Sequence, residues 1–280
     1  MDIAVLGATG TLGRLLSSRL EAAGHTVRRG SRREGVDAVT GVGLDDLLRG
    51  VDVVIDSMNT TALSARRARR DFDRIATNVA RSALRHDVDR IVCVAIAGAA
   101  DPSVNRLMGY YQGKAVQERA YRAASVPSTI VHSTQWFELV DQLVWRASLG
   151  PLAVLPTMRM ALVAASSVAD LVVSEAVDPE PPSLRLLADQ GPADPRPMTD
   201  RGNREIAIRG PEILTGAQAA RRIRDGYGSV GGSTSSLIAE LPYFGLAVAW
   251  NGLIPADALV DDVTLEDWIA SRREAAPLQP

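Results

Sequence analysis

The sequence predicts an α/β protein, a doubly wound parallel sheet with a smaller C-terminal α/β lobe. Three observations carry this. Short β-branched runs alternate with helical patterns through the first half, and such alternation builds βαβ units with right-handed crossovers, hence a parallel sheet covered on both faces. The opening apolar run DIAVLG passes through glycines directly into a helical pattern. After Leu149 the alternation thins, which separates a first domain, 1–150, from a smaller lobe, 151–280, interleaved with it.

Taken in order, DIAVLG predicts the first strand. A helix to about Ala23 follows, with Leu12, Leu15, Leu16 and Leu20 as its apolar stripe. TVRRG, VDAVTG and VDVVIDS predict strands two to four. In the long helix ARRARRDFDRIATNVARSALRH, Phe72, Ile75, Val79 and Ala83 keep three-to-four spacing, which leaves the arginines a solvated face. IVCVAIAG and STIVHST predict strands five and six, with a helix between them. In the lobe, MRMALVAA and REIAIRG read as strands flanking a helix at Ser167 to Val177, and the Pro/Asp/Gly-rich DPEPPSLRLLADQGPADPRPMTDRG as an excursion back to a strand. A helix from about Thr215 to Arg224, a Gly/Ser run from Gly228 to Ser236 and a final helix from Thr264 to Arg273 complete the chain. Thr264 with Asp267 three residues on resembles a capping box with Asp in the Glu role.

Composition bounds the chemistry. A 280-residue chain with 46% hydrophobic and 23% charged residues buries a substantial core and is not a disordered sequence. A net charge of −2 lacks the basic excess that nucleic acid attracts, so no nucleic-acid partner is expected. Cys93 is the only cysteine, so no internal disulfide forms, and within IVCVAIAG it reads as a small buried apolar group. Three scattered histidines add no ligand cluster, so no metal is expected. No basic leader precedes the first strand and no long apolar run follows, so the expected location is cytoplasmic, with no membrane partner.

The glycines of GATGTLG point to a ligand. Gly7, Gly10 and Gly13 stand three residues apart where a strand ends and a helix begins, so unpaired N–H groups and the positive end of the helix dipole meet there. Gly7 permits a tight turn, Gly10 lets a pyrophosphate approach the main chain, and Gly13 lets the helix pack on the strand. With Thr9, Thr11 and Leu12 these residues form the candidate dinucleotide cradle of a Rossmann-type unit. At the end of the second strand, where an NAD site places Asp or Glu, the chain reads VRRGSRRE. Ser31, Arg32 and Arg33 suit a 2′-phosphate, which arginine holds with paired donors and a carboxylate repels, so NADP (NADPH) is the expected cofactor. The alternative is that these arginines coat a surface turn.

The GxxGxxG spacing resembles the extended and atypical branches of the short-chain dehydrogenase/reductase superfamily. VDRIVCVAIAG and GYYQGKAVQERAYRAASVPSTIVHSTQWFE are similar to the corresponding stretch of NmrA-like and NAD(P)H-quinone-reductase-like proteins, and REIAIRGPEILTGAQAA and VTLEDWIASRR extend the likeness over most of the chain. In that superfamily a Tyr four residues before a Lys moves the proton while hydride passes to or from nicotinamide. Tyr110 and Lys114 hold that spacing, so the resemblance implies them as catalytic residues, with Lys114 also on the cofactor. A nearby ammonium would lower the phenol's pKa toward the working range. The superfamily's catalytic Ser or Thr is missing, because VAIAGAADPS puts alanines at 95, 97, 99 and 100, and the acidic residue often seen after the third strand is absent from VTGVGLDD.

Ligands of open parallel sheets bind beyond the carboxyl ends of the strands. That places Ser57, Met58 and Asn59 on the cofactor side, and Ser133, Gln135, Trp136 and Phe137 along a substrate pocket. Trp136 and Phe137 either stack on a flat substrate or belong to the core, and His132 reads as a satisfied core histidine. The expected function is NADP(H)-dependent hydride transfer to a small carbonyl or quinone-type substrate. The alternative is an NmrA-like sensor that binds the nucleotide without turnover. Many relatives are dimers, which is compatible with a homodimer here.

Overall fold

The computed structural model describes residues 1–60, 62, 64–178, 202–231 and 237–275. The Pro/Asp/Gly-rich excursion and most of the Gly/Ser run lie outside the described residues. The chain divides into two units. Met1–Ser133 with Val168–Ala207 form the first, and Thr134–Ser167 with Ile208–Pro280 the second.

The elements of the first unit follow the predicted alternation: β1 (Asp2–Leu6), α1 (Thr11–Ala22), β2 (Thr26–Gly30), α2 (Leu44–Leu48), β3 (Val53–Asp56), α3 (Ala65–Arg85), β4 (Arg90–Ile96), α4 (Pro102–Asn105), α5 (Gly109–Ala123) and β5 (Ser128–Ser133). β1 pairs in parallel with β2 on one side and β3 on the other, β3 with β4, and β4 with β5. The strand order therefore reverses between β1 and β3, which opens a crevice at their carboxyl ends. β1 and β3 are buried on both faces, as Ile3, Val5, Val54 and Ile55 show at 0% exposure, which explains their continuous rather than alternating apolar pattern, whereas the edge strand β2 is partly exposed.

VDAVTG is not a strand. Residues 37–42 form a turn closed by a single bridge between Asp37 and Val42, and VDVVID supplies the third strand. Gly41 (φ 85°) and Gly43 (φ 76°) are left-handed, which ends an extended run. Asn78 of α3 donates to the carbonyls of Ala38 and Val39 and holds the turn in place.

α3 and α5 pack at backbone distance. A Cβ on Gly113 would stand 2.5 Å from Phe72 Cδ2, and one on Gly109 2.7 Å from Ala65 Cα. α3 also buries Phe72, Ile75, Val79 and Ala83, the stripe the spacing predicts.

The second unit contains α6 (Phe137–Ala147), β6 (Ser148–Leu149), β7 (Leu152–Pro156) and β8 (Arg159–Met160), and α7 (Ala165–Val177) begins in it. β9 (Arg204–Arg209) crosses back into it, followed by β10 (Leu214–Thr215), α8 (Gly216–Tyr227), β11 (Leu237–Leu241), α9 (Leu246–Ala249), β12 (Leu259–Val260) and α10 (Leu265–Ala275). β12 pairs in parallel with Ile208 and Arg209 of β9 and closes the seven-stranded order β12-β9-β5-β4-β3-β1-β2. β11, β7 and β6 form a separate three-stranded sheet, and β8 pairs with β10.

Only Arg159–Met160 of MRMALVAA is a strand. Beyond it the carbonyls of Ala161 and Val163 are taken by Thr134 Oγ1 and Gly210 N, and by Phe137 N, instead of a neighbouring ladder. Thr264 and Asp267 form the expected reciprocal cap of α10. Thr215 and Gln218 make a second capping box at α8.

Candidate functional site: the glycine turn and its surroundings

The turn after β1 is built as its glycines predict. Gly7 sits at φ 80° and donates to Gly30 O at 3.0 Å. A Cβ on Gly13 would lie 2.2 Å from Gly7 O and 2.8 Å from Ala8 Cα, so only glycine lets α1 seat on the turn. A Cβ on Gly10 would meet Gly7 O alone, at 3.2 Å, so this side of the turn is open. No side chain caps α1 and no acidic residue occupies its first turn. Thr9, Gly10 and Thr11 are exposed, whereas the Leu12 side chain turns into the core and leaves only its N–H for a ligand. This cradle fits a diphosphate: oriented N–H groups, a helix dipole and no competing carboxylate.

Ser57, at the end of β3, does more than line the crevice. Its Oγ donates to Leu6 O at 2.7 Å, its N donates to the same carbonyl at 3.1 Å, and a Cβ on Gly7 would stand 3.0 Å from Ser57 O. Ser57 thus pins the ends of β1 and β3 together. Met58 N donates to Asp56 Oδ1, and the exposed Asn59 folds its side chain onto Thr60 N.

At the end of β2, Arg32 and Arg33 are exposed, and among the described residues neither they nor Arg14 forms an ion pair. Ser31 donates its hydroxyl to Glu34, an acceptor that sequence reasoning missed. The signal was present, because SRRE carries the Ser-x-x-Glu spacing of a capping box.

Tyr110 and Lys114 share one face of α5, and both meet Phe72. The Tyr110 ring packs edge-on at 5.6 Å, and Lys114 Nζ lies 4.9 Å from the Phe72 centroid. Lys114 is buried. Its ammonium donates to Val94 O (3.0 Å), Met58 O (3.3 Å) and Gln117 Oε1 (2.9 Å), which uses its three N–H groups. The expected lowering of the phenol's pKa does not occur. Burial, with Asp56 next, pushes the Tyr110 hydroxyl well above the ordinary phenol range.

Behind Lys114 stands a network that the sequence did not reveal. Asp56, fully buried, accepts from Gln117 Nε2 at 2.7 Å and Tyr121 OH at 2.6 Å. A carboxylate, an amide and an ammonium thus run in series through the interior. VDVVID alone does not distinguish this buried aspartate from a surface one; the positions of Gln117 and Tyr121 at i+3 and i+7 from Lys114 were the available hint. The loop after β4 offers no hydroxyl beside it: Ala95, Ala97 and Ala99 are buried, and the exposed Ser103 belongs to the cap of α4.

His132 is satisfied structurally, with Nε2 3.0 Å from Glu205. Arg122 bonds the same carboxylate and also Glu118, whose own acid is pushed up by burial. Ser133, at the end of β5, is buried, and its carbonyl accepts from Ala97 N. In the second unit, Val163 N donates to Gln135 O, Trp136 bridges to Val163, and Phe137 is 2% exposed with its ring 5.6 Å from that of Trp268. Phe137 is therefore core, the second of the two alternatives.

No protein-family model matches the chain, and no curated protein matches it in sequence. Solved structures do. MoeE5 in complex with UDP-glucose and NAD aligns with a TM-score of 0.66 at 15% identity, over 99% of this chain and 100% of that one. A UDP-N-acetylglucosamine 4-epimerase from Bacillus cereus aligns at 0.63 and 14% identity, over 100% and 99%. A GDP-6-OMe-4-keto-L-xylo-heptose reductase from C. jejuni aligns at 0.66 and 12%, over 98% and 96%. A short-chain dehydrogenase/reductase superfamily protein from Agrobacterium tumefaciens with bound NAD aligns at 0.60 and 14% over 98% of each chain. The chain has the Rossmann-type α/β fold that these structures share.

Proposed function

We propose that this protein binds NADP(H) and acts as an oxidoreductase on a small carbonyl or quinone-type substrate. The observation that carries the reading is the uncapped, carboxylate-free start of α1 behind a glycine turn whose open side is at Gly10. Thr11, Leu12 and Gly13 would offer their N–H groups to the diphosphate, and Arg32 and Arg33 would hold a 2′-phosphate through paired donors. Bound there, the reduced nicotinamide supplies a hydride. Tyr110, protonated across neutral pH, serves as the acid that gives its proton to the substrate oxygen and regains one from water. Lys114 holds the Met58 and Val94 carbonyls and so shapes the floor of the crevice.

A second reading, a nucleotide sensor without turnover, is favoured by the alanines after β4 and by an ammonium turned inward from Tyr110. Calorimetric titration with NADPH and NADH, paired with NADPH oxidation against quinones and aldehydes, separates the outcomes. Tight NADPH binding with turnover supports the enzyme, and binding without turnover supports the sensor. Absence of binding to either dinucleotide removes both.

A further inference from the structure

Asp56 ends an otherwise apolar strand, β3, and none of its surface reaches solvent. An apolar residue would pack there without the cost of drying a carboxylate, so the charge calls for a reason. Its two oxygens lead to Lys114 by separate routes. Oδ2 accepts from Gln117 Nε2 at 2.7 Å, and Gln117 Oε1 accepts from Lys114 Nζ at 2.9 Å. Oδ1 accepts from Met58 N at 2.9 Å, and Met58 O accepts from Lys114 Nζ at 3.3 Å. Carboxylate and ammonium thus close a ring in which a side-chain amide and a backbone residue each donate once and accept once. Its polarity is fixed, because a Gln117 amide turned over would set its NH2 against the ammonium and its oxygen against the carboxylate. Lys114 is the only lysine among the 31 lysines and arginines of the chain. A compact ammonium sends divergent donors to Met58 O, Val94 O and Gln117 Oε1, which the flat fork of a guanidinium does not do.

We propose that Asp56 is a positioning residue: through this ring it fixes the Met58 peptide and the Lys114 ammonium as one unit at the floor of the crevice. The assignment rests on the oxidoreductase reading, in which Met58 lines the cofactor side and Tyr110, one helical turn before Lys114, gives the proton. Three features select positioning over packing alone. The ring ties β3 and β4 to α5, the helix that carries Tyr110, and so sets the floor relative to the acid. The two charges are bridged rather than in contact, so the ammonium stands one side chain away from its counter-charge and keeps more of its field for charge that develops in the crevice. A buried network with its partners in place also holds one geometry, whereas an apolar side chain at 56 would leave the Met58 N–H without its acceptor.

The single lysine makes the test direct. Full-length protein grown on isotope-labelled lysine gives one side-chain ammonium signal in nuclear magnetic resonance, and its protons exchange slowly only while they are held. Asp56→Asn keeps the shape but turns one accepting oxygen into a donor, so at least one route to Lys114 opens. In the nucleotide-free variant the ammonium protons should exchange at least about tenfold faster than in the wild type. With NADPH saturating, kcat should fall by about a hundredfold while KM for the carbonyl substrate stays within about threefold of the wild type. Gln117→Met cuts the side-chain route, leaves Asp56 charged and nearly conserves volume. It should move both readouts in the same direction, and it is the deciding variant where Asp56→Asn does not fold. A wild type without a slowly exchanging ammonium near neutral pH overturns the proposal. So do variants whose ammonium exchange matches the wild type, and variants that lose thermal stability while kcat and KM stay unchanged, the result of a purely structural carboxylate. Failure of the oxidoreductase reading shows separately, as a wild type that binds neither dinucleotide or binds without turnover. The nucleotide-free ammonium signal then decides by itself whether Asp56 holds Lys114.

Discussion

A Cβ on Gly13 would stand 2.2 Å from the carbonyl oxygen of Gly7, closer than any side-chain carbon approaches a backbone oxygen. The two residues therefore define one rigid element in which α1 rests on the turn it opens from. Gly13→Ala must push helix and turn apart and move the N–H groups that face the open side. The expected result is at least a tenfold loss of NADPH affinity by calorimetry, with thermal stability reduced by about 1–3 kcal/mol. Affinity equal to the wild type would show that the diphosphate sits elsewhere.

Lys114 is expected to matter for stability as well as for activity. Lys114→Ala would leave the Val94 carbonyl and Gln117 Oε1 without their donor and would remove the ammonium that lies in series with buried Asp56. A loss of about 2–4 kcal/mol in urea unfolding is expected without any nucleotide present. A side chain that served only as a cofactor contact would leave apo stability unchanged.

Tyr110→Phe separates the two functional readings. If the hydroxyl supplies the proton, turnover with a carbonyl substrate falls by about two to four orders of magnitude while NADPH affinity is retained. Because burial holds the phenol protonated, reductive turnover should lack an alkaline limb through the range around neutrality. A kcat that declines with a pKa near 7 would contradict this electrostatic account.

Arg32→Ala/Arg33→Ala is expected to lower NADPH affinity by about a hundredfold and to leave NADH affinity nearly unchanged, since two charge-assisted contacts to one phosphate are lost. Glu34→Gln should act in the opposite direction by removing a negative charge beside Ser31. Equal loss for both dinucleotides would return the arginines to the role of a solvated turn.

The cluster around Glu205 makes stability depend on acid. His132 and Arg122 hold its carboxyl well below the ordinary carboxylate range. A depressed folded-state pKa contributes stability that is complete above the unfolded value of about 4.3 and is lost as pH falls below it. Glu205→Gln should therefore cost about 2 kcal/mol at pH 7 and make the acid limb of the unfolding curve shallower. Curves that stay parallel from pH 7 to pH 3 would show the pair to be energetically silent.

The sequence by itself determined the alternation of strands and helices, the glycine turn, the apolar stripe of α3 and the cap of α10. Each is local: residues a few positions apart decide it, through periodicity, hydrogen-bond geometry or backbone conformation. VDAVTG misled because its β-branched residues suit a strand while the glycines after them require a turn, a conflict that contact with α3 resolves. Only the tertiary structure decided where the chemistry points. That Lys114 faces Asp56 through Gln117, that the partly buried Tyr110 packs edge-on against Phe72, and that Phe137 is core depend on residues tens of positions apart, whose distances no spacing rule contains.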